Sequence, residues 1–326
     1  MATAGMDVAA NRIRGRRDEM IQSVDAIAPE AGQPGDRCDL APSSLPPVSR
    51  VGVCSWSFQV SSIGELEEIL PAVGTDVVAL ACGDPTHASW IEGDGLPAAA
   101  LAAGMQIVGT MIGFDGEDYS SPATIHRTGG FSDPAIREAR LARLAWALER
   151  TRALGVSDLT LHVGAVPDVG DRARAGFLEV LHRAGTLAHD AGVTLCLETG
   201  SEPADVLATC LAEVASPALM VNFDPANLVG SGHGDPVEAV GILGAYIRGV
   251  HIKDALPPVS EGVWGEEVPV GSGRADIPGV LAALAAVGYT GPLCVECEGG
   301  TRDQRVSDVA AAVAFVRGSP HVRARS

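Results

Sequence analysis

Between Val51 and Val316 the chain alternates, eight times over, a short β-rich apolar run with a longer run of helical periodicity. The expected strands are residues 51–54, 76–81, 106–111, 158–162, 194–198, 219–224, 248–253 and 292–296. Helical runs fill the intervals, from 63–73 at the start to 306–316 at the end. Several of them stop at a glycine just before the next strand (Gly104, Gly155, Gly192 and Gly288), the signal of a left-handed C-cap. Strands alternating with helices imply a parallel sheet. Eight units in about 270 residues match a (β/α)8 TIM barrel better than an open doubly wound sheet. No G-x-G-x-x-G follows the first strand, which also disfavours the open sheet. The barrel is expected over residues 50–318. Residues 1–49, rich in proline after a charged stretch at 11–27, are expected to be a disordered or weakly structured tail and linker, and residues 319–326 a C-terminal tail.

Composition narrows the function classes. The chain is 46% apolar with few aromatics, enough for a large core of Ala, Val and Leu. No apolar run approaches the roughly 18 residues of a membrane span. The first residues are polar and carry no apolar h-region, so a cytoplasmic protein is expected. A formal charge of −18 disfavours nucleic acid as a partner. Seven cysteines are scattered without a disulfide pattern. Cys294 and Cys297 form a C-x-x-C, but residues three apart on a strand point to opposite faces, so a shared metal is not expected.

Four successive strands, the fifth to the eighth, end in metal-type side chains: Glu198, Asp224, His251 and Glu296. In a parallel barrel the C-terminal strand ends converge on one face, where the chemistry sits. Three carboxylates at one buried rim repel and raise one another's pKa unless a cation joins them. Each residue alone has a bland reading, as a turn opener, a rim charge or a core histidine; their matching inward parity favours a single divalent ion. Oxygen-rich ligation with one imidazole suits Mn²⁺ first, with Mg²⁺, Co²⁺ or Zn²⁺ as alternatives. Such an ion acts as a Lewis acid on a carbonyl while a carboxylate beside it takes the α-proton. Glu198 and Glu296 flank the set and would serve as the acid/base pair. The chemistry expected is epimerisation or aldose–ketose isomerisation through an enediolate, with a lyase or dehydratase as the alternative if a β-hydroxyl leaves. A metal-dependent hydrolase and a catalytically silent binding protein rank lower.

His162 at the fourth strand end is read as a substrate contact in preference to a core histidine. Asn227, Lys253, Asp254 and Glu267 are further substrate-binding candidates. Lys253 is the only lysine in an arginine-rich chain, and its parity with His251 aims it at the barrel mouth. Two connections, 112–133 and 255–277, are too long for ordinary βα loops and are read as walls or lids over the site.

The set Leu161-His162-Val163-Gly164, Leu197-Glu198, Phe223-Asp224-Pro225-Ala226-Asn227, Val250-His251-Ile252-Lys253-Asp254-Ala255 and Val295-Glu296 resembles the xylose-isomerase-like TIM-barrel superfamily, and more closely its sugar phosphate isomerase/epimerase branch. The resemblance covers Val51 to about Val316. It implies a single-metal site at Glu198, Asp224, His251 and Glu296, with the two glutamates doubling as the acid/base pair. The superfamily also holds endonuclease-IV-type enzymes. This chain departs from them, with Asn227 where a histidine would stand and no histidine in 255–277, so their trinuclear zinc cluster is incomplete. The expected partner is therefore a small carbohydrate or cyclitol, with no nucleic acid and no membrane. A homo-oligomer is compatible with the sequence.

Overall fold

The computed structural model describes residues 48–82, 95–200 and 202–324, all within one compact unit. Most of the expected N-terminal tail, including the stretch 11–27, lies outside the described residues. The eight strands are β1 (Val51–Cys54), β2 (Val77–Ala81), β3 (Gln106–Met111), β4 (Asp158–Leu161), β5 (Thr194–Glu198), β6 (Leu219–Phe223), β7 (Ile247–Ile252) and β8 (Leu293–Val295). All pair in parallel in chain order, and β8 closes on β1. The principal helices are α1 (Ile63–Val73), α2 (Leu96–Ala102), α3 (Arg137–Ala153), α4 (Arg174–Ala191), α5 (Ala204–Val214), α6 (Pro236–Leu243), α7 (Ile277–Ala286) and α8 (Arg302–Arg317). The fold is the TIM barrel that the alternation predicts.

Period-two alternation sorts each strand between two cores. On β2, Val78 and Leu80 face the helices, whereas Val77, Ala79 and Ala81 face the barrel interior. That interior is small, built from these residues with Cys54, Val108 and Cys294. Gly52 is required at its wall, because an added Cβ would stand 2.6 Å from the Val77 carbonyl oxygen. The outer core is larger. Leu144 and Leu148 on α3, and Phe177 and Leu181 on α4, are spaced i,i+4 and fully buried, each contributing roughly 1.5–3 kcal/mol.

Gly104, Gly155, Gly192 and Gly288 all have positive φ, as the C-cap signal requires. α8 starts earlier than its apolar periodicity, because Thr301 and Gln304 form a reciprocal capping box ahead of Val306. At the other end of the strands, His162, Asp224, Lys253 and Glu296 fall just past the last paired residue, so they sit on the rim rather than in the ladder. Val48–Ser49 and Arg323–Ala324, both within the intervals read as tails, pair in parallel with each other. Cys294 is buried in the barrel while Cys297 lies past the end of β8, half-buried. Among the described residues no helix is long and apolar enough to cross a membrane.

Candidate active site

Asp224 shows how the local sequence builds the site. It follows the last residue of β6 and caps the short helix Pro225–Ser231, whose first residue is a proline. Its Oδ1 accepts from the backbone of Ala226 (2.7 Å) and Asn227 (3.1 Å), satisfying the helix terminus. Thr199 locks the residue from β5: its hydroxyl accepts from Asp224 N (2.7 Å) and donates to Asp224 O (2.9 Å). One carboxylate oxygen is thus consumed, and Oδ2 is turned into the barrel mouth without a partner.

His251 sits between the two glutamates. Its Nδ1 shares a hydrogen bond of 2.8 Å with Glu198 Oε1 and lies 2.7 Å from Glu296 Oε2. A single ring nitrogen cannot align with both, and Glu296 Oε2 is left without a hydrogen bond. Glu198 Oε2 is in the same condition, because His162 Nε2 approaches it at 3.3 Å without alignment. One ligand atom each from Glu198, Asp224, His251 and Glu296 lies within 4.8 Å of the others. Three buried carboxylate oxygens without a hydrogen bond, two of them only close to a histidine nitrogen, fit a divalent cation, since a buried acceptor left without a hydrogen bond costs about 1–3 kcal/mol. The four strand-end residues are therefore brought together.

The electrostatics fit the same reading. Burial, with Glu296 and Glu198 adding to it, pushes the Asp224 carboxyl up to about 7 against the pull of Lys253. Glu296 behaves oppositely. Burial alone would raise it, but Lys253 and His251 hold it well below the ordinary carboxylate range. His251 is raised well above its usual value. Burial opposes that shift, and Cys54, Glu198 and Glu296 overcome it.

The other sequence candidates divide. His162 lines the cavity, 23% exposed, with Tyr119 beside it at a ring separation of 5.9 Å. Lys253 reaches Glu298 (2.7 Å), Glu296 (3.1 Å) and Glu267 (3.6 Å). Glu267 Oε1 accepts from the backbone of Glu298 (2.7 Å) and Gly299 (3.0 Å), tying one wall to the loop after β8. Asn227 lines the cavity, with its amide donating to Thr199 O at 3.0 Å. Asp254 is turned away. Its carboxylate accepts from the backbone of Ala255 (2.9 Å), Gly271 (2.9 Å), Gly273 (2.9 Å) and Ala275 (3.0 Å). It organises the 271–275 loop instead of meeting the cavity, and Gly273 is needed there because a Cβ would stand 2.1 Å from its Oδ1. Asp254→Ala strands four amides and is expected to cost roughly 2–4 kcal/mol in urea denaturation, with Asp254→Asn losing about half as much.

Both long connections wall a cavity of about 500 Å³ above the four ligands. The first contains a helix at Pro122–Thr128 opened by a Ser121–Thr124 capping box. Glu117 braces this segment, accepting from Gly130 N (2.7 Å) and Phe114 N (3.0 Å). The buried Arg140 grips the carbonyls of Gly130 and Thr128 from behind. Gly130 and Gly164 interlock, so that a Cβ on Gly130 would fall 1.9 Å from the Val163 carbonyl carbon. The second connection contains a hairpin, Asp254–Leu256 with Glu266–Val268. Trp264 Nε1 donates to Tyr119 O at 2.8 Å, joining the two walls across the mouth.

Sequence reasoning missed Trp56, which follows β1 in a 3₁₀ turn and stacks edge-on to His251 with ring centroids 5.4 Å apart. The signal available was an aromatic two residues past an inward-facing strand end. Glu202 also lines the cavity.

Residues 72–318 match the family described as the xylose isomerase-like TIM barrel, and the chain belongs to that family. A xylose isomerase domain protein from Planctomyces limnophilus is 31% identical, with a TM-score of 0.72 over 83% of this chain and 96% of that one. D-Psicose 3-epimerase from Clostridium cellulolyticum H10, solved with D-tagatose, superposes at 0.59 over 82% of this chain and 98% of its own, with 19% identity. A xylose isomerase-like TIM barrel protein from Mycobacterium smegmatis, solved with magnesium, superposes at 0.56 over 82% and 98%, with 16% identity. No curated protein sequence matches the chain significantly.

Proposed function

We propose that the protein is a divalent-metal-dependent epimerase or isomerase acting on a keto-sugar or related polyol by α-proton abstraction. The observation that carries this reading is the placement of Glu198 and Glu296 on either side of His251 Nδ1, at 2.8 and 2.7 Å, with Asp224 completing the ring. Glu198, Asp224, His251 and Glu296 would hold the ion. When bound, the ion, Mn²⁺ in this reading, supplies Lewis-acid polarisation of a substrate carbonyl and its neighbouring hydroxyl.

The chain's own residues do the rest. Glu296, held ionised beside Lys253, enters as the carboxylate that a base requires. Glu198 enters from β5, with β6 and β7 between it and Glu296 on β8, so one glutamate would remove a proton from the carbon beside the carbonyl and the other return one to the opposite face. His162 stands next to Glu198 and is placed for a substrate hydroxyl. The walls joined by Trp264 and Tyr119 shield the intermediate from water.

The test is solvent exchange. The Mg²⁺-loaded protein is incubated in D₂O with ketoses, 3-keto-glycosides and inososes, and the C–H signal beside each carbonyl is followed by NMR. Loss of that signal with appearance of an epimer or isomer is the expected result, whereas an elimination product would assign the lyase instead. No exchange on any member, with metal demonstrably bound, would sink both.

A further inference from the structure

The cavity is one-sided in charge. Six glutamates line it (Glu117, Glu198, Glu202, Glu267, Glu296 and Glu298) against one lysine and, among the described residues, no arginine. Asp224 lies with the ligand set beneath. Seven carboxylates outnumber the positive charge that Lys253 and a divalent ion would bring, even with Arg140 standing behind Glu117.

Lys253 is the natural place to look for an anion receptor, since it is the single cationic side chain besides histidine in the lining. Its ammonium is already committed. It donates to Glu298 Oε2 (2.7 Å) and Glu296 Oε1 (3.1 Å) and lies 3.6 Å from Glu267 Oε2, with its side chain only 10% exposed. The second place to look is the glycine-rich segment Gly271-Ser272-Gly273-Arg274, whose backbone amides resemble a phosphate cradle in sequence. Those of Gly271 and Gly273 donate to Asp254 Oδ2, both at 2.9 Å, and are spent inside the protein. The remaining wall is apolar and aromatic, from Trp56, Tyr119 and Trp264. Such faces suit the C–H surfaces of an uncharged ring.

We infer that the substrate is an uncharged, unphosphorylated polyhydroxy ketone, and that Lys253 with Glu267, Glu296 and Glu298 forms a charge filter that rejects phosphate esters and sugar acids. This rests on the keto-sugar reading above. Lys253 neutralises part of the wall without offering itself to the ligand, and the residual field repels anions in a partly desolvated cleft, where charges act strongly.

Calorimetric titration of the Mg²⁺-loaded protein with ketohexoses and their 6-phosphates tests it. At low salt the neutral sugar is expected to bind about tenfold or more tighter than its phosphate, and the gap to narrow as salt rises to roughly 0.5 M and screens the field. In the double variant Glu267→Gln/Glu298→Gln, Lys253 loses two of its three carboxylates, and the gap is expected to shrink about tenfold in favour of the phosphate. Equal or tighter binding of the phosphate by the unaltered protein at low salt would overturn the filter and leave the keto-sugar reading standing. Binding of neither ligand would overturn the filter as stated, while the exchange panel above, with its 3-keto-glycosides and inososes, decides the keto-sugar reading separately.

Discussion

Glu198→Gln and Glu296→Gln are each expected to slow α-proton exchange by about 10²–10⁴-fold while leaving the protein folded. Glutamine preserves shape and one acceptor oxygen, so the barrel rim keeps its packing. What it loses is the ability to take or give a proton at that oxygen. Both residues are also expected ligands, so a fall in metal affinity could mimic the loss. Measuring exchange at saturating Mg²⁺, with occupancy checked by competition with EPR-visible Mn²⁺, separates the two. The variants should differ in one respect. Glu296→Gln removes a carboxylate that Lys253 contacts at 3.1 Å, whereas Glu198→Gln disturbs the hydrogen bond to His251 at 2.8 Å. Full exchange in both metal-saturated variants would remove the two glutamates from the chemistry.

The parts of this site legible in the sequence are those that obey strand parity. His251 and Lys253 share a face because side chains alternate, and both reach the mouth. The same rule sends Asp254 to the opposite face, where four backbone amides take its carboxylate. Asp254 is expected among the substrate-binding candidates, yet it stands one residue out of phase with Lys253, and parity accounts for its place. Asp224 carried a second readable signal, since Asp-Pro-Ala-Asn is an N-cap followed by a proline at the first helical turn. The walls were harder. Each hairpin strand at Asp254–Leu256 and Glu266–Val268 has three residues, too few for a periodic pattern. The interlock of Gly130 with Val163 and Gly164 depends on two loops meeting in space, which local sequence does not encode. The repeated glycines of Arg127-Thr128-Gly129-Gly130 become intelligible only once that contact is seen.

Metal stabilisation is expected to grow as pH rises through about 7. In the metal-free protein the Asp224 carboxyl is lifted to about 7, chiefly by burial, while in the unfolded chain it titrates near 4. Between those values the unfolded state loses its proton first, so this group's contribution to stability declines as pH rises from about 4 to 7. A divalent ion reverses the trend by binding the ionised form, and at a hundredfold excess over Kd it adds about 2.7 kcal/mol, roughly 5–10 °C in Tm for a domain of this size. His251 prolongs the rise. Its pKa also lies well above the usual value, and a proton on Nδ1 must leave before that nitrogen can ligate. Scanning calorimetry with and without Mn²⁺ from pH 5.5 to 8.5 should therefore show a metal-induced shift that is small at the acid end and large at the alkaline end. Asp224→Asn should abolish most of the shift. Above pH 7 the metal-free variant should be at least as stable as the metal-free parent, because it carries no uncompensated buried charge there. Asparagine still offers an oxygen to the amides of Ala226 and Asn227, so the helix cap survives the exchange. A metal-induced shift that is equal at both ends of the pH range, or that survives intact in Asp224→Asn, would place the ion somewhere other than among these four residues.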